Sequence, residues 1–188
     1  MAQTTTFDPT GFFRFDLRRG AVHARGGDRV IVLSEGVLAP LVTVAVNNND
    51  LTSLRHLGLQ LGRLAATAVE GSVQDRPAEE VFGLAGSILS VFGWGRLEIE
   101  RWGLALVARL EEMPTLDADQ LAAAALLGGV LSLLADREVA CVPVEREGAF
   151  LIVDPTVADL VWKWSRSGSS VHDMVQRLEP SGAAGEGG

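Results

Sequence analysis

Tyrosine is absent from this chain, cysteine occurs once and basic residues are in deficit. Each shortage removes a class of protein. A single thiol, Cys141, allows neither an internal disulfide nor a multi-cysteine zinc site. Sixteen Lys and Arg against 24 Asp and Glu leave a formal net charge of −8, the wrong sign for a surface that neutralises nucleic-acid phosphates. Long hydrophobic runs are missing too. The longest nearly apolar segment, 121–135, has 15 residues, short of the roughly 20 a helix needs to cross a bilayer. Residues 1–10 hold no basic cluster and no apolar run, so a secretory signal is not expected and a cytoplasmic protein is.

The usual marks of catalysis are equally scarce. No phosphate-binding glycine loop leads into a lysine, no nucleophile elbow occurs, and Gly93-Trp94-Gly95 lacks the third glycine of a dinucleotide fingerprint. His23, His56 and His172 are far apart in sequence. Cys141 lies in an apolar strand with no adjacent histidine to lower its pKa, and reads as a buried small hydrophobe. The acidic pairs Glu79-Glu80 and Glu111-Glu112 fall at a helix start and a strand end. The expectation is a non-enzyme with no catalytic residue, no metal and no cofactor.

What is present is a chain of 188 residues, 47% hydrophobic, enough for one domain with a substantial core. Residues 12–16 and 29–33 read as strands around the turn Arg25-Gly26-Gly27-Asp28. Residues 37–46, interrupted by Pro40, fit a buried helix or a strand equally well. Leu54, Leu57, Leu61, Leu64 and Ala68 recur at spacings of three and four, one helical stripe, with Gly58 and Gly62 on a neighbouring face where close backbone packing would offset their helix penalty. Pro77 followed by Glu79 and Glu80 opens a second helix, whose stripe runs from Val81 to Phe92 and stops at Gly93. Leu97 and Ile99 alternate with Arg96, Glu98 and Glu100 in a strand with one wet face. Trp102-Gly103 is the expected turn, with Leu104, Leu106, Ala108 and Leu110 on the return strand. Asp117 and Gln120 form a capping-box pair ahead of a helix over 118–135, apolar nearly all round and hence expected to be sandwiched. A second hairpin spans 139–145 and 149–153, turning at Arg146-Glu147-Gly148, and Pro143 marks its first arm as an edge. Two short helices close the chain, capped by Thr156 with Asp159 and by Ser170 with Asp173. The expected class is α/β in the α+β sense: an antiparallel sheet built from hairpins with flanking helices, in a single domain. The boundaries are a flexible start at 1–10, the α/β domain at 11–153, a helical extension at 154–178 and a disordered tail at 179–188.

In the order of these elements the chain resembles the vinyl-reductase-type domain superfamily, relatives of the TRAPP vesicle-tethering subunits and of the ligand-binding domains of nitric-oxide signalling. The matching text is Phe13-Arg14-Phe15-Asp16 with Gly20, then Arg29-Val30-Ile31-Val32-Leu33, and the glycine-spaced helix at 55–65. It continues through 89–100 with the Gly-Trp-Gly junction and through Leu127-Gly128-Gly129-Val130-Leu131 to Glu145, Gly148 and Phe150. The resemblance implies dimerisation through helices and a role as a scaffold subunit or a small-molecule sensor. Bacterial sensor members carry zinc-binding cysteines around the final hairpin. This chain lacks them, so the resemblance carries over no metal ligands, and the expectation is a divergent, stand-alone member of bacterial type.

Two functions are expected on this basis. The first is a non-catalytic homodimeric protein-interaction scaffold. Its Gly58/Gly62 helix or Gly128/Gly129 helix would pack on a twin, and Trp162 and Trp164 of the C-terminal helices would dock a protein partner. The alternative is a sensor domain holding a small apolar molecule between sheet and helices, with His56, Gln60 and Arg101 as polar anchors. Reduction of a tetrapyrrole vinyl group has no cofactor motif in its favour.

Overall fold

The structure, a computed structural model, describes residues 10–69, 71–144 and 148–178. The expected tail, all of the expected flexible start but Thr10, and the turn residues Arg146 and Glu147 lie outside them. The chain forms an α+β domain with two antiparallel sheets. β1 (Phe13–Asp16), β2 (Ala21–Ala24) and β3 (Arg29–Val30) make a small N-terminal sheet in the order β1-β2-β3. Helices α1 (Glu35–Asn47), α2 (Thr52–Thr67) and α3 (Ala78–Val91) follow, and then the hairpin β4 (Arg96–Trp102) and β5 (Ala105–Glu111). After α4 (Leu121–Leu134) come β6 (Ala140–Pro143), β7 (Ala149–Val153), α5 (Pro155–Arg166) and α6 (Val171–Leu178). The main sheet has the order β4-β5-β7-β6, so the strand ending in Pro143 is an edge, where a missing N–H costs no ladder bond.

The alternation of β5 and β7 divides this sheet into two apolar faces. Ala108, Leu110 and Phe150 join the larger core under α2, α3 and α4. Val107, Ala149, Leu151 and Val153 point the other way, into a second core closed by Val161 of α5 and Val171, Met174 and Val175 of α6. The result is three layers: helices, sheet, helices. The C-terminal helices are fastened to the sheet, since the Ser165 hydroxyl donates to the Pro143 carbonyl at 2.8 Å. The segment 154–178 therefore belongs to the packed body of the domain.

α4 lies between α2 and β6, which explains its all-round apolar sequence. The approach of α2 to α4 is unusually close. A Cβ on Gly58 would stand 2.0 Å from the Leu126 carbonyl oxygen, and one on Gly129 would stand 2.2 Å from that of Arg55. Gly62 and Gly128 face the same contact, against Leu133 and the Arg55 guanidinium. These four glycines were expected at an interface between two copies. The structure corrects this: their small faces are used inside the chain, one helix backbone against another. Arg55 secures the joint. It donates to the Val139 carbonyl at 3.1 Å and to Ser132 Oγ at 2.9 Å, and it is paired with Glu138. Ser132, a buried polar residue of the core, in turn accepts from the Val139 N–H at 3.0 Å.

Several local expectations need correction. β2 was not anticipated, and β3 stops at Val30, leaving Ile31, Val32 and Leu33 as exposed chain without strand pairing. Residues 37–46 form a helix, with Val42 its buried residue and Pro40 on the exposed side. Leu104 sits at the hairpin tip, 79% exposed, because Trp102 pairs directly with Ala105. α4 begins at Leu121, and Gln120 takes a left-handed conformation before it. Asp117 still caps the helix, accepting from the Leu121 and Ala122 N–H groups at 2.8 and 2.9 Å. Asp154, not Thr156, caps α5, accepting from the Thr156 N–H at 2.9 Å. The Ser170–Asp173 box is formed as expected.

The α2–α4 joint can be tested with two alanine variants. Gly129→Ala forces a methyl into a backbone carbonyl and is expected to lower stability by about 3 kcal/mol, or roughly 6–12 °C in Tm for a domain of this size. Gly83→Ala, at an exposed helix position with nothing within 4 Å of the new methyl, is expected to raise stability by about 0.5–1 kcal/mol. Thermal and urea unfolding read both.

Candidate ligand-binding sites

Two cavities flank the turn where α3 passes into β4. That turn is Phe92-Gly93-Trp94-Gly95. Gly93, at φ 75°, ends the helix, and Gly95, at φ 107°, brings the chain so close to β5 that a Cβ there would lie 2.4 Å from the Glu111 carbonyl oxygen. The junction is thereby rigid, and it fixes Phe92 and Trp94 where they project.

The first cavity, about 810 Å³, lies between the N-terminal sheet, α1 and α2. Its floor is the Leu57, Leu61 and Leu64 stripe of α2, with Phe92, Trp94 and Leu116 at its back and the extended residues 31–33 as its outer wall. At one end Phe12, Phe13 and Phe92 interlock edge to face, with centroids 5.0 to 6.0 Å apart. The wall is tied down by Glu35, whose carboxylate accepts from the Thr115 N–H at 3.0 Å. Polar groups are few: Gln60 and Arg63 from α2, Asp28, Arg29 and Glu35 from the wall. This is the composition of a small-molecule pocket, an apolar chamber with a small number of orienting groups.

The second cavity, about 1020 Å³, is a groove between α3 and the edge strand β4. Leu97, Ile99 and Arg101 line it from the sheet, Phe82, Gly86 and Ser87 from the helix. Of the residues lining the two cavities Val91 alone is shared.

The polar anchors expected from sequence do not converge. Gln60 lines the chamber; Arg101 lines the groove. His56 lines neither: it is exposed and bonded to Gln60 through Nε2 at 3.0 Å. Trp162 and Trp164 are both half-buried against the second core, beneath Arg166 and Arg177 guanidinium carbons 5.5 and 5.2 Å from their ring centres. Both rings expected on a docking surface thus pack partly against the domain itself and keep part of their surface exposed. Sequence reasoning missed the chamber lining, although two of its signals were visible: the aromatic Phe-Gly-Trp-Gly junction and an apolar run at 30–33 with no alternating polar partner.

Cys141 is buried among the larger core, and burial pushes its thiol up to about 12, with the Arg55 charge opposing only in part. Among the described residues no cluster of His, Cys, Asp and Glu is arranged to hold a metal ion, and no helix is long and apolar enough to cross a membrane.

No family model matches this chain, and no curated protein does. Among solved structures it is similar to the phenol-responsive sensory domain of the transcription activator PoxR, solved with phenol. The TM-score is 0.60 at 15% identity, covering 85% of this chain and 90% of that one. At that identity the likeness is one of fold.

Because the neutral thiol is the form present at pH 8, Cys141 is expected to resist a thiol reagent in the native protein. It should label at one equivalent once urea unfolds the chain. Fast native labelling would show that the core around α4 opens.

Proposed function

We propose that this domain is a non-catalytic small-molecule-binding module of the vinyl-reductase type, which holds an apolar, ring-sized ligand in the chamber beside Phe92 and Trp94. The observation that carries the reading is the chamber itself. It is about 810 Å³, within the ordinary range of ligand pockets, and it is lined by leucine and aromatic side chains. Its outer wall, residues 31–33, lies outside the strand pairing of β3 and exposes Ile31 by 81%. With no ladder bonds across it, this wall is the side from which a ligand would enter, and the Glu35–Thr115 bond anchors its end. The phenol-bound neighbour supports the same reading, since its fold serves to bind an aromatic ligand. In this chain Gln60 and Arg63 would orient the polar end of such a molecule, and the phenylalanine cluster would pack its ring.

Phenols, other substituted aromatics and lipids, screened by thermal shift, test this directly. A true ligand at a hundred times its Kd adds about 2.7 kcal/mol of stability, a Tm rise of roughly 5–10 °C. Leu61→Trp, which fills the chamber, is expected to abolish the shift. Native mass spectrometry of the purified protein should show extra mass of a few hundred daltons if a ligand is retained. A bare mass, with no shift across the libraries, overturns the proposal.

A second reading, self-association, rests on α1. Val37, Leu41 and Val44 form one helical stripe, exposed by 54%, 62% and 60%, and continue the exposed wall at 31–33. Between Glu35 and Asp50 the chain has no charged residue, so two copies of this face meet without repulsion in a two-fold pair. Light scattering is expected to give a dimer for the native chain and a monomer for Leu41→Glu. A native monomer removes this reading and leaves the ligand reading standing.

A further inference from the structure

We propose that the groove between α3 and β4 is a second binding site, for an amphipathic anion: a hydrocarbon tail carrying a carboxylate. The proposal rests on how charge and apolar surface are distributed along the groove. On the helix-facing side of β4 the order is Leu97, Ile99, Arg101. Two strand residues span about 7 Å, so an apolar track of roughly 13 Å leads to a guanidinium. α3 runs back along this track, with Gly86 against Leu97, and Phe82 and Gly83 face the same cavity. Arg137, just beyond the end of α4, completes the lining together with Leu106 and Leu134.

Among the groove's lining residues cations outnumber carboxylates, although the chain as a whole is acidic. The chain carries a net −8, yet the groove is lined by Arg76, Arg96, Arg101 and Arg137 against one carboxylate, Glu79. Two of these cations are already neutralised. Arg76 pairs with Glu80 at 2.9 Å, and Arg96 is held by Glu98 and Glu111 at 2.9 and 2.6 Å. Arg101 has no ion pair or hydrogen bond to its side chain among the described residues, and Arg137 acts on Asp154 only through space. A guanidinium beside an apolar track recognises a planar carboxylate through a two-pronged hydrogen bond while the track takes the tail. A neutral hydrocarbon would have no use for the cations, and a polyphosphate none for Leu97, Ile99 and Phe82. The site is separate from the chamber, with Val91 alone in both linings.

The probe is decanoate, with decanol as its uncharged counterpart, measured by titration calorimetry on the full chain. Wild type is expected to bind decanoate at one equivalent, and decanol at least about tenfold more weakly, the worth of a charged hydrogen bond. Arg101→Ala combined with Arg137→Ala, both exposed and outside the core, is expected to lose at least about tenfold in decanoate affinity. Gly83→Phe keeps both cations and fills the groove, and should abolish binding. A ligand in the chamber should leave the affinity unchanged. Equal binding of decanol, unchanged affinity in the double variant or in Gly83→Phe, or displacement by chamber filling with Leu61→Trp would each overturn the proposal.

Discussion

The contact between α2 and α4 is the constraint on which the rest of the structure depends. Two helix backbones meet at Gly58 and Gly129 with no room for a methyl group between them. That closeness draws α4 away from solvent on every side and lets it lie flat between α2 and β6. It also brings Arg55 within reach of Ser132, Val139 and Glu138, so the start of the last hairpin is fixed by a side chain from the helix above it. Interiors packed to this density transmit displacement poorly absorbed elsewhere. A change at the joint would be felt both at β6 and at the α2 stripe that floors the chamber.

The second organising fact is that the main sheet is covered on both faces. Most antiparallel sheets leave one face to water; here β7 reads Ala-Phe-Leu-Ile-Val, apolar in both directions, and only helices on both sides satisfy it. α5 and α6 supply the outer cover, which turns the segment with Trp162 and Trp164 from an accessory into a structural layer. β4 is the exception. Its outward face carries Arg96, Glu98 and Glu100, paired with Glu111 and Arg109, and stays polar. Its inward face is only partly covered by α3, and that incomplete cover is the groove.

Both cavities thus arise where the packing is unfinished, on either side of a rigid glycine junction. The chamber exists because the N-terminal sheet ends early and its chain continues unpaired across α2. The groove exists because α3 presents Gly83 and Gly86 to a strand that offers large apolar side chains and then an arginine. The exposed apolar stripe of α1 borders the chamber wall, so a ligand and a second copy of the chain would act on adjoining surface.

Much of this was written in local patterns. The alternation of Leu97 and Ile99, the helical spacing along α2 and α3, the glycine stop at Gly93 and the Ser170–Asp173 box depend on neighbours within a few residues, and they determined the elements and the α+β class. Pro143 announced an edge for the same reason. The sequence could not state which surface each element would meet. Gly58 and Gly129 mark a close approach, but whether to the same chain or to another is decided by folding. Ile31, Val32 and Leu33 have the composition of a strand, yet pairing needs a partner at the right distance, and β2 offers one only as far as Val30. Gln60 and Arg101 are equally plausible anchors as letters; the packing of α3 between them sends each to a different cavity. Periodicity is a property of adjacent residues, whereas a cavity is what remains after distant ones have packed, and only the tertiary structure could place it.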